Sequence, residues 1–230
     1  LKANEKNVIF TSGGTESDNL AIWGWLQAQR TPGEVLYTAA EHAAVKNACL
    51  EAEKRFGVKA KEIPLLSNGS VDLSALEEML NENTQLICVM HVCNETGVIM
   101  PISEICALRD RLAPKAAIHV DGVQGYLRIP FSFQQYKVQS YALSAHKIHG
   151  PKGVGALYVS AEVLKAKKLI PVTLGGGQEA GMRSGTENTI GIAGFGAACA
   201  RAQSTLRDDL RRMTALRTYL EEKLAAQGEI

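Results

Sequence analysis

The sequence predicts an α/β domain with a mostly parallel central sheet flanked by helices. Three observations point there. Short β-rich apolar runs alternate with amphipathic stretches of helical period along the chain. The run 86–92 is apolar nearly throughout, as in a strand buried on both faces. Gly, Asn and Asp punctuate the boundaries between these stretches.

Taken in order, Val8-Ile-Phe-Thr11 reads as a strand, and a Gly-Gly turn leads into a helix over 16–29. Residues 35–38 form the next strand. A helix over 45–56 keeps Ala48, Cys49, Ala52 and Phe56 near one face, and Gly57 stops it. A short strand over 61–65 ends at the turn residues Ser67-Asn-Gly69, and Asp72 caps a helix through Leu73, Leu76 and Leu80. The strand 86–92 and the helix 102–112 follow. A strand over 117–120 ends at Asp121, and two more cover 140–143 and 154–159. The tail 190–225 is helical, with a break expected near Ser204.

Bulk properties bound the function. A chain of 230 residues with 46% apolar content can bury a substantial core. A formal charge of +1 argues against nucleic acid or an anionic membrane as partner. No run of about 18 apolar residues is present, so a membrane span is not expected. The polar opening Leu1-Lys-Ala-Asn-Glu-Lys6 does not read as a signal peptide. Cys49, Cys88, Cys93, Cys106 and Cys199 are scattered and odd in number, which fits reduced thiols in a cytoplasm better than disulfides or a metal site.

Five features at strand ends carry possible chemistry. In Ser12-Gly-Gly-Thr-Glu-Ser17 small residues after a strand open a helix, so amides, the helix N-terminus and the Thr15 hydroxyl can receive an anion beside Gly14. An ordinary strand-to-helix turn reads the same way. Asp121 at the end of a buried strand needs a cationic partner, such as a protonated pyridine nitrogen, or else caps a helix starting at Gly122. Gln124 lies three residues on. Lys147, in Ser144-Ala-His-Lys147 between two strands, suits a nucleophile if partly desolvated, with Ser144 and His146 as donors to a phosphate; the alternative is an exposed basic loop. His42 can stack on an aromatic ring and move protons, or be structural. The Gly-rich segment 175–186, with Arg183 and Thr186, suits an anion or forms a surface loop.

Six ordered strings tie these features together: Phe10-Thr-Ser-Gly-Gly-Thr-Glu-Ser-Asp-Asn-Leu20, Asn94-Glu-Thr-Gly97, His119-Val-Asp-Gly-Val-Gln124, Ser144-Ala-His-Lys147, Gly150-Pro-Lys-Gly153 and Arg183-Ser-Gly-Thr-Glu-Asn188. They resemble the cysteine desulfurases, in the class V aminotransferase group of fold-type I pyridoxal 5′-phosphate (PLP) enzymes. The likeness runs from Val8 to beyond Gly196. It implies that Lys147 forms the Schiff base, Asp121 pairs with the pyridine nitrogen, and Gln124 and Asn94 bond near the phenolic oxygen. His42 stacks on the ring and serves as acid or base. Gly14, Thr15, Ser144 and His146 hold the phosphate. Thr186 reaches the phosphate of a partner subunit, which implies a homodimer. Asn94 and Arg183 are expected at the substrate.

The resemblance further implies conversion of L-cysteine to L-alanine with sulfur passed to an enzyme Cys, and from there to an acceptor protein in iron–sulfur cluster assembly or a related route. The expected layout is a PLP-binding large domain over 1–200, lacking an N-terminal segment. A helix over 201–230 then leads to a C-terminal small domain that is absent. Two departures stand out. Cys93 replaces an Asn usual in the family, and none of the five cysteines has the Ser-rich context of the family's sulfur acceptor. The 230-residue chain is therefore expected to lack sulfur transfer. A selenocysteine lyase, an aminotransferase of the same fold and a non-catalytic PLP-binding module are the rival readings.

Overall fold

The computed structural model describes residues 3–228. In chain order the elements are β1 (Val8–Thr11), α1 (Gly14–Gln27), β2 (Glu34–Thr38), α2 (Ala43–Phe56), β3 (Lys59–Ile63), α3 (Leu73–Met79), β4 (Thr84–Met90), α4 (Ile102–Leu112), β5 (Ala117–Asp121), α5 (Phe133–Tyr136), β6 (Ser140–Ser144), β7 (Gly155–Val159), α6 (Ala161–Lys165) and α7 (Thr189–Ala225).

Seven strands make one sheet in the order β1-β7-β6-β5-β4-β2-β3. From β6 to β3 every pairing is parallel, whereas β7 runs antiparallel to both β6 and β1. Strand β1 therefore points the same way as the parallel set. Its C-terminal end opens on the same edge of the sheet as the ends of β2, β4, β5 and β6. Strand order also reverses there: the chain steps outward from β2 to β3, then returns to place β4 on the other side of β2. Crevices at such switch points receive ligands in open α/β sheets.

Both faces of the sheet are covered. On one, α1 and α2 pack Leu20, Ile22, Val45 and Ala52 against Val35, Leu86 and Leu157. On the other, α3, α4 and α7 contribute Leu76, Ile105 and Phe195 against Leu36, Ile87, Ile118 and Tyr141. Strands covered on both sides have no polar face, which is why β4 and β5 read as apolar runs.

Local signals set the helix ends. The Asp72 carboxylate accepts from the amides of Ser74 and Ala75 at the start of α3. Gly57 closes α2 in the left-handed conformation at φ +68°, which glycine adopts without Cβ strain.

Some expectations need correction. Strand β4 ends at Met90, because Val92 leaves the sheet to pair with Ile99. No break occurs near Ser204: α7 is one helix over Thr189–Ala225. The Ser204 and Thr205 hydroxyls fold back onto the Arg201 carbonyl, so neither competes with the helix. Lys147 sits in a one-turn 3-10 helix, Ala145–Ile148, rather than an open loop. The distal half of α7 exposes Leu216, Tyr219 and Leu220. Among the described residues no helix is long and apolar enough to cross a membrane.

Candidate active site

A cleft of about 330 Å³ opens at the C-terminal edge of the parallel strands. Its walls bring together Gly14, Thr15, His42, Asn94, Asp121, Gln124, Ser144, His146 and Lys147, with Asp18, Met90, Val92 and Val123 between them.

One end is built for an anion. After β1 the turn Ser12-Gly13 is tied internally: the Ser17 hydroxyl donates to the Gly13 carbonyl at 3.1 Å and lies 2.8 Å from the Thr11 hydroxyl. The first amides of α1, at Gly14 and Thr15, have no partner within the helix by its geometry. The turn lies directly on β7. A Cβ at Gly155 would stand 2.6 Å from Gly13 Cα, so only glycine permits that approach. Opposite, the Ser144 hydroxyl bonds His146 Nδ1 at 2.9 Å. Partial burial and the neighbouring Lys147 and Lys152 hold the His146 imidazole below its ordinary value.

The other end is acidic. Asp121 is buried at the tip of β5, and its Oδ1 accepts from the Val123 amide at 2.9 Å. Burial, reinforced by Asp18, pushes its carboxyl up to about 7. His42 is the N-cap of α2 and its Nδ1 accepts from the Ala44 amide at 3.1 Å, which places the proton of the neutral ring on Nε2. The cap is thus structural and orients a ring that also lines the cleft. Lys147 is half-buried, and its carbonyl is anchored by Arg128 Nη2 at 2.6 Å. Arg128 also donates to the Gln124 carbonyl at 3.1 Å.

Thr186 and Arg183 lie elsewhere. Thr186 is exposed and outside the cleft wall. Arg183 is engaged by Glu16, with Nε 2.7 Å from Oε1 and Nη2 3.3 Å from Oε2.

Sequence reasoning missed a buried polar group that reaches the cleft through Asp18. Asp18 Oδ1 lies 3.1 Å from His119 Nε2, and His119 Nδ1 lies 2.9 Å from the Ser140 hydroxyl. Burial pushes Asp18 up to about 8 and His119 down to about 4, so the two meet as neutral groups. Glu41 takes the Thr38 hydroxyl and the Met90 amide on Oε1, both at 2.7 Å, while Oε2 is buried without a partner. Burial raises it to about 8, which makes it a protonated acid at neutral pH. A signal for Asp18 was present: it shares the α1 stripe with Ala21, Ile22 and Trp25, an acid on an apolar face.

A family model for aminotransferase class-V matches residues 1–230. The chain belongs to this family. Among class-V relatives, cysteine desulfurase 2 of Trichormus variabilis is 42% identical over 224 residues, covering 97% of this chain and 54% of that protein. Cysteine desulfurase IscS of Colwellia psychrerythraea is 40% identical over 234 residues, covering 100% of this chain and 56% of that protein. A solved NifS-like protein superposes with a TM-score of 0.93 at 34% identity, covering 99% of this chain and 61% of that one. The chain spans about half the length of the curated relatives it matches.

In this class-V chain Cys93 and Asn94 lie past the end of β4, where the chain turns at 93–97, and the turn separates their side chains. Asn94 lines the cleft, whereas Cys93 packs into the core. Burial alone would raise the Cys93 thiol, but hydrogen bonds from the Thr96 hydroxyl and the Thr96 and Glu95 amides outweigh it and hold the thiol below its ordinary value. Cys49, Cys88 and Cys106 are also buried. Cys199 is half-buried, 3.4 Å from the Tyr126 hydroxyl.

Proposed function

We propose that this chain supplies the cofactor-binding half of a PLP-dependent cysteine desulfurase. The observation that carries the reading is the polarity of the cleft. Amides and hydroxyls gather at one end, a buried acid stands at the other, and a lysine lies in the same wall. The residues fit PLP. Its phosphate matches the cradle of Gly14, Thr15, Ser144 and His146, and its ring nitrogen gives Asp121 the cation that a buried carboxylate requires. The cleft volume lies at the lower end of the range for small-molecule sites.

When bound, PLP supplies an electron sink for the carbon next to the amino group. The protein's part follows from its own side chains. Lys147, whose backbone is held by Arg128, would supply the amine that binds the cofactor's carbonyl group. Asp121 would supply the carboxylate that pairs with the ring nitrogen and keeps it protonated. His42, in the cleft wall with Nδ1 taken by the Ala44 amide, would offer Nε2 as a proton donor or acceptor to the bound group. Asn94 and Gln124 position polar oxygens of cofactor and substrate. The overall reaction takes L-cysteine and a thiol to L-alanine and a persulfide. One relative by structure is described as SspA in complex with cysteine, at 32% identity and a TM-score of 0.78. The persulfide thiol must be mobile, and the buried cysteines of this chain are unsuited to that role. A homodimer in which Thr186 approaches the partner's phosphate, a sulfur-acceptor protein and a cytoplasmic location complete the proposal.

The test is spectroscopic and chemical. Added PLP should give the absorbance of a protonated imine, and borohydride should fix the label on Lys147. Label on Lys152, or none at saturating PLP, refutes the assignment. Alanine release from cysteine by the complete protein separates the desulfurase from a non-catalytic PLP-binding module.

A further inference from the structure

Glu16 and Arg183 are 167 residues apart in sequence, yet their side chains meet at 2.7 Å and each is about three-quarters buried. Glu16 is the third residue of α1, in the turn whose amides form the anion cradle. Its carboxylate does two things at once. Oε2 accepts from the Ser12 amide at 2.9 Å, bracing the turn before the helix, and both oxygens accept from the Arg183 guanidinium. Burial alone would raise the Glu16 carboxyl; the bonds from Arg183 and Ser12 outweigh it and hold it ionised.

Arg183 belongs to the Gly-rich segment 175–185, whose path is unfavourable on its own. Glu179 and Ala180 are consecutive left-handed residues, at φ +52° and +55°, and neither is glycine. Such a path persists only where its surroundings over-determine it. Internal bonds supply part of that: the Gly177 amide donates to the Ser184 hydroxyl and the Gly185 amide to Gln178 Oε1. Apart from the Ser184 amide bond to the Thr173 carbonyl, the segment's external hydrogen bonds run to the cradle region. Glu179 Oε2 accepts from the Phe10 amide of β1 at 3.0 Å, and Arg183 grips Glu16.

Charge gives the pair a second role. A carboxylate in the first turn of a helix is favourable for the bare helix but repels an anion arriving at the same amides. The Arg183 fork cancels that charge. We propose that Glu16 and Arg183 form a positioning latch, which neutralises the first turn of the cradle helix and clamps the Gly-rich segment onto it. The latch thereby sets how tightly the cleft holds a phosphate group. This rests on the reading that the cleft takes the phosphate of PLP.

The experiment uses the 230-residue protein, with E16Q, R183Q and the double variant. PLP affinity is read by absorbance and by displacement with inorganic phosphate. Subtilisin cleavage within 171–188 is followed without cofactor, and circular dichroism confirms that each variant is folded. R183Q leaves Glu16 uncompensated and should weaken PLP binding about 10-fold, the scale of one charge-assisted contact. E16Q should weaken it about 3-fold, since Gln still accepts from Ser12. The double variant should bind better than R183Q, because the repelling charge is gone. Both single variants should be cut faster than wild type. A double variant that binds as weakly as the product of the single effects shows a brace without the electrostatic role and overturns the proposal. So does wild-type affinity in R183Q, or an unchanged cleavage rate. Wild type that binds neither PLP nor phosphate overturns the cofactor reading instead, and the cleavage arm then decides the clamp by itself.

Discussion

Replacing Asp121 by Asn should move apo stability and catalysis in opposite directions. Asp121 is 6% exposed, and its Oδ1 contact with the Val123 amide can be kept by an Asn oxygen. Burial raises its carboxyl from 3.8 to about 7. The sign follows from linkage. A group whose folded pKa is raised contributes stability that is full below the unfolded value and is lost as pH climbs through the folded one. At ~1.4 kcal/mol per pH unit, the apo protein loses about 4 kcal/mol through this group between pH 4 and 7, an upper bound before relaxation. D121N has no such loss. Urea denaturation of both apo proteins at pH 5 and pH 8 should therefore show the advantage of D121N growing by roughly 2–3 kcal/mol between the two. In the complete protein loaded with PLP, the same change should cost about 3–4 kcal/mol of transition-state stabilisation, roughly 10²–10³-fold in turnover, as loss of a key electrostatic group does. Cofactor retention should change little, because the phosphate cradle is untouched. An advantage that does not vary with pH would refute the burial argument, and near-normal turnover would refute the role at the ring nitrogen.

Three further outcomes follow from the same geometry. Asp18 and Glu41 are both raised to about 8 by burial, so D18N and E41Q should each remove part of the stability loss of the apo protein between pH 6 and 8.5; thermal melts across that range check it. G155A should weaken PLP binding and cost about 1–3 kcal/mol in stability, since its Cβ would stand 2.5 Å from the Leu143 carbonyl and 2.6 Å from Gly13 Cα; unaltered melting and affinity would show that the turn shifts freely. The 230-residue chain should not release alanine from cysteine with turnover through its own thiols, because four are buried and Cys199 is half-buried; sustained release abolished by changing one of the five to Ser would contradict this.

Local patterning made much of the fold legible. Apolar runs marked the strands to within two residues, and Asp72 and Gly57 marked helix ends, because caps act through neighbours in sequence. The break expected at Ser204 failed for the opposite reason: a hydroxyl that disfavours helix in general was absorbed by a carbonyl one turn back. Most of the cleft was legible as well. Gly14, Thr15, His42, Asp121 and Lys147 each lie at a strand end, and in a parallel sheet all such ends meet along one edge.

What the sequence determined by itself was therefore the set of strand-end residues and the chemistry they can share. Their short motifs are self-contained, with turn, donor and acid within a few positions. The tertiary structure alone decided the rest. Only the antiparallel insertion of β7 shows that β1, the first strand in the chain, delivers its cradle to the same edge as β6. Only packing brings Asp18 to His119, across 101 residues, and turns an anomalous acid on a helix into part of a buried network. Arg183 shows the same limit. Its motif marks it for an anion, and its fold gives it Glu16 as partner. Which anion it meets is set by a contact 167 residues away, and no local period in the chain encodes that distance.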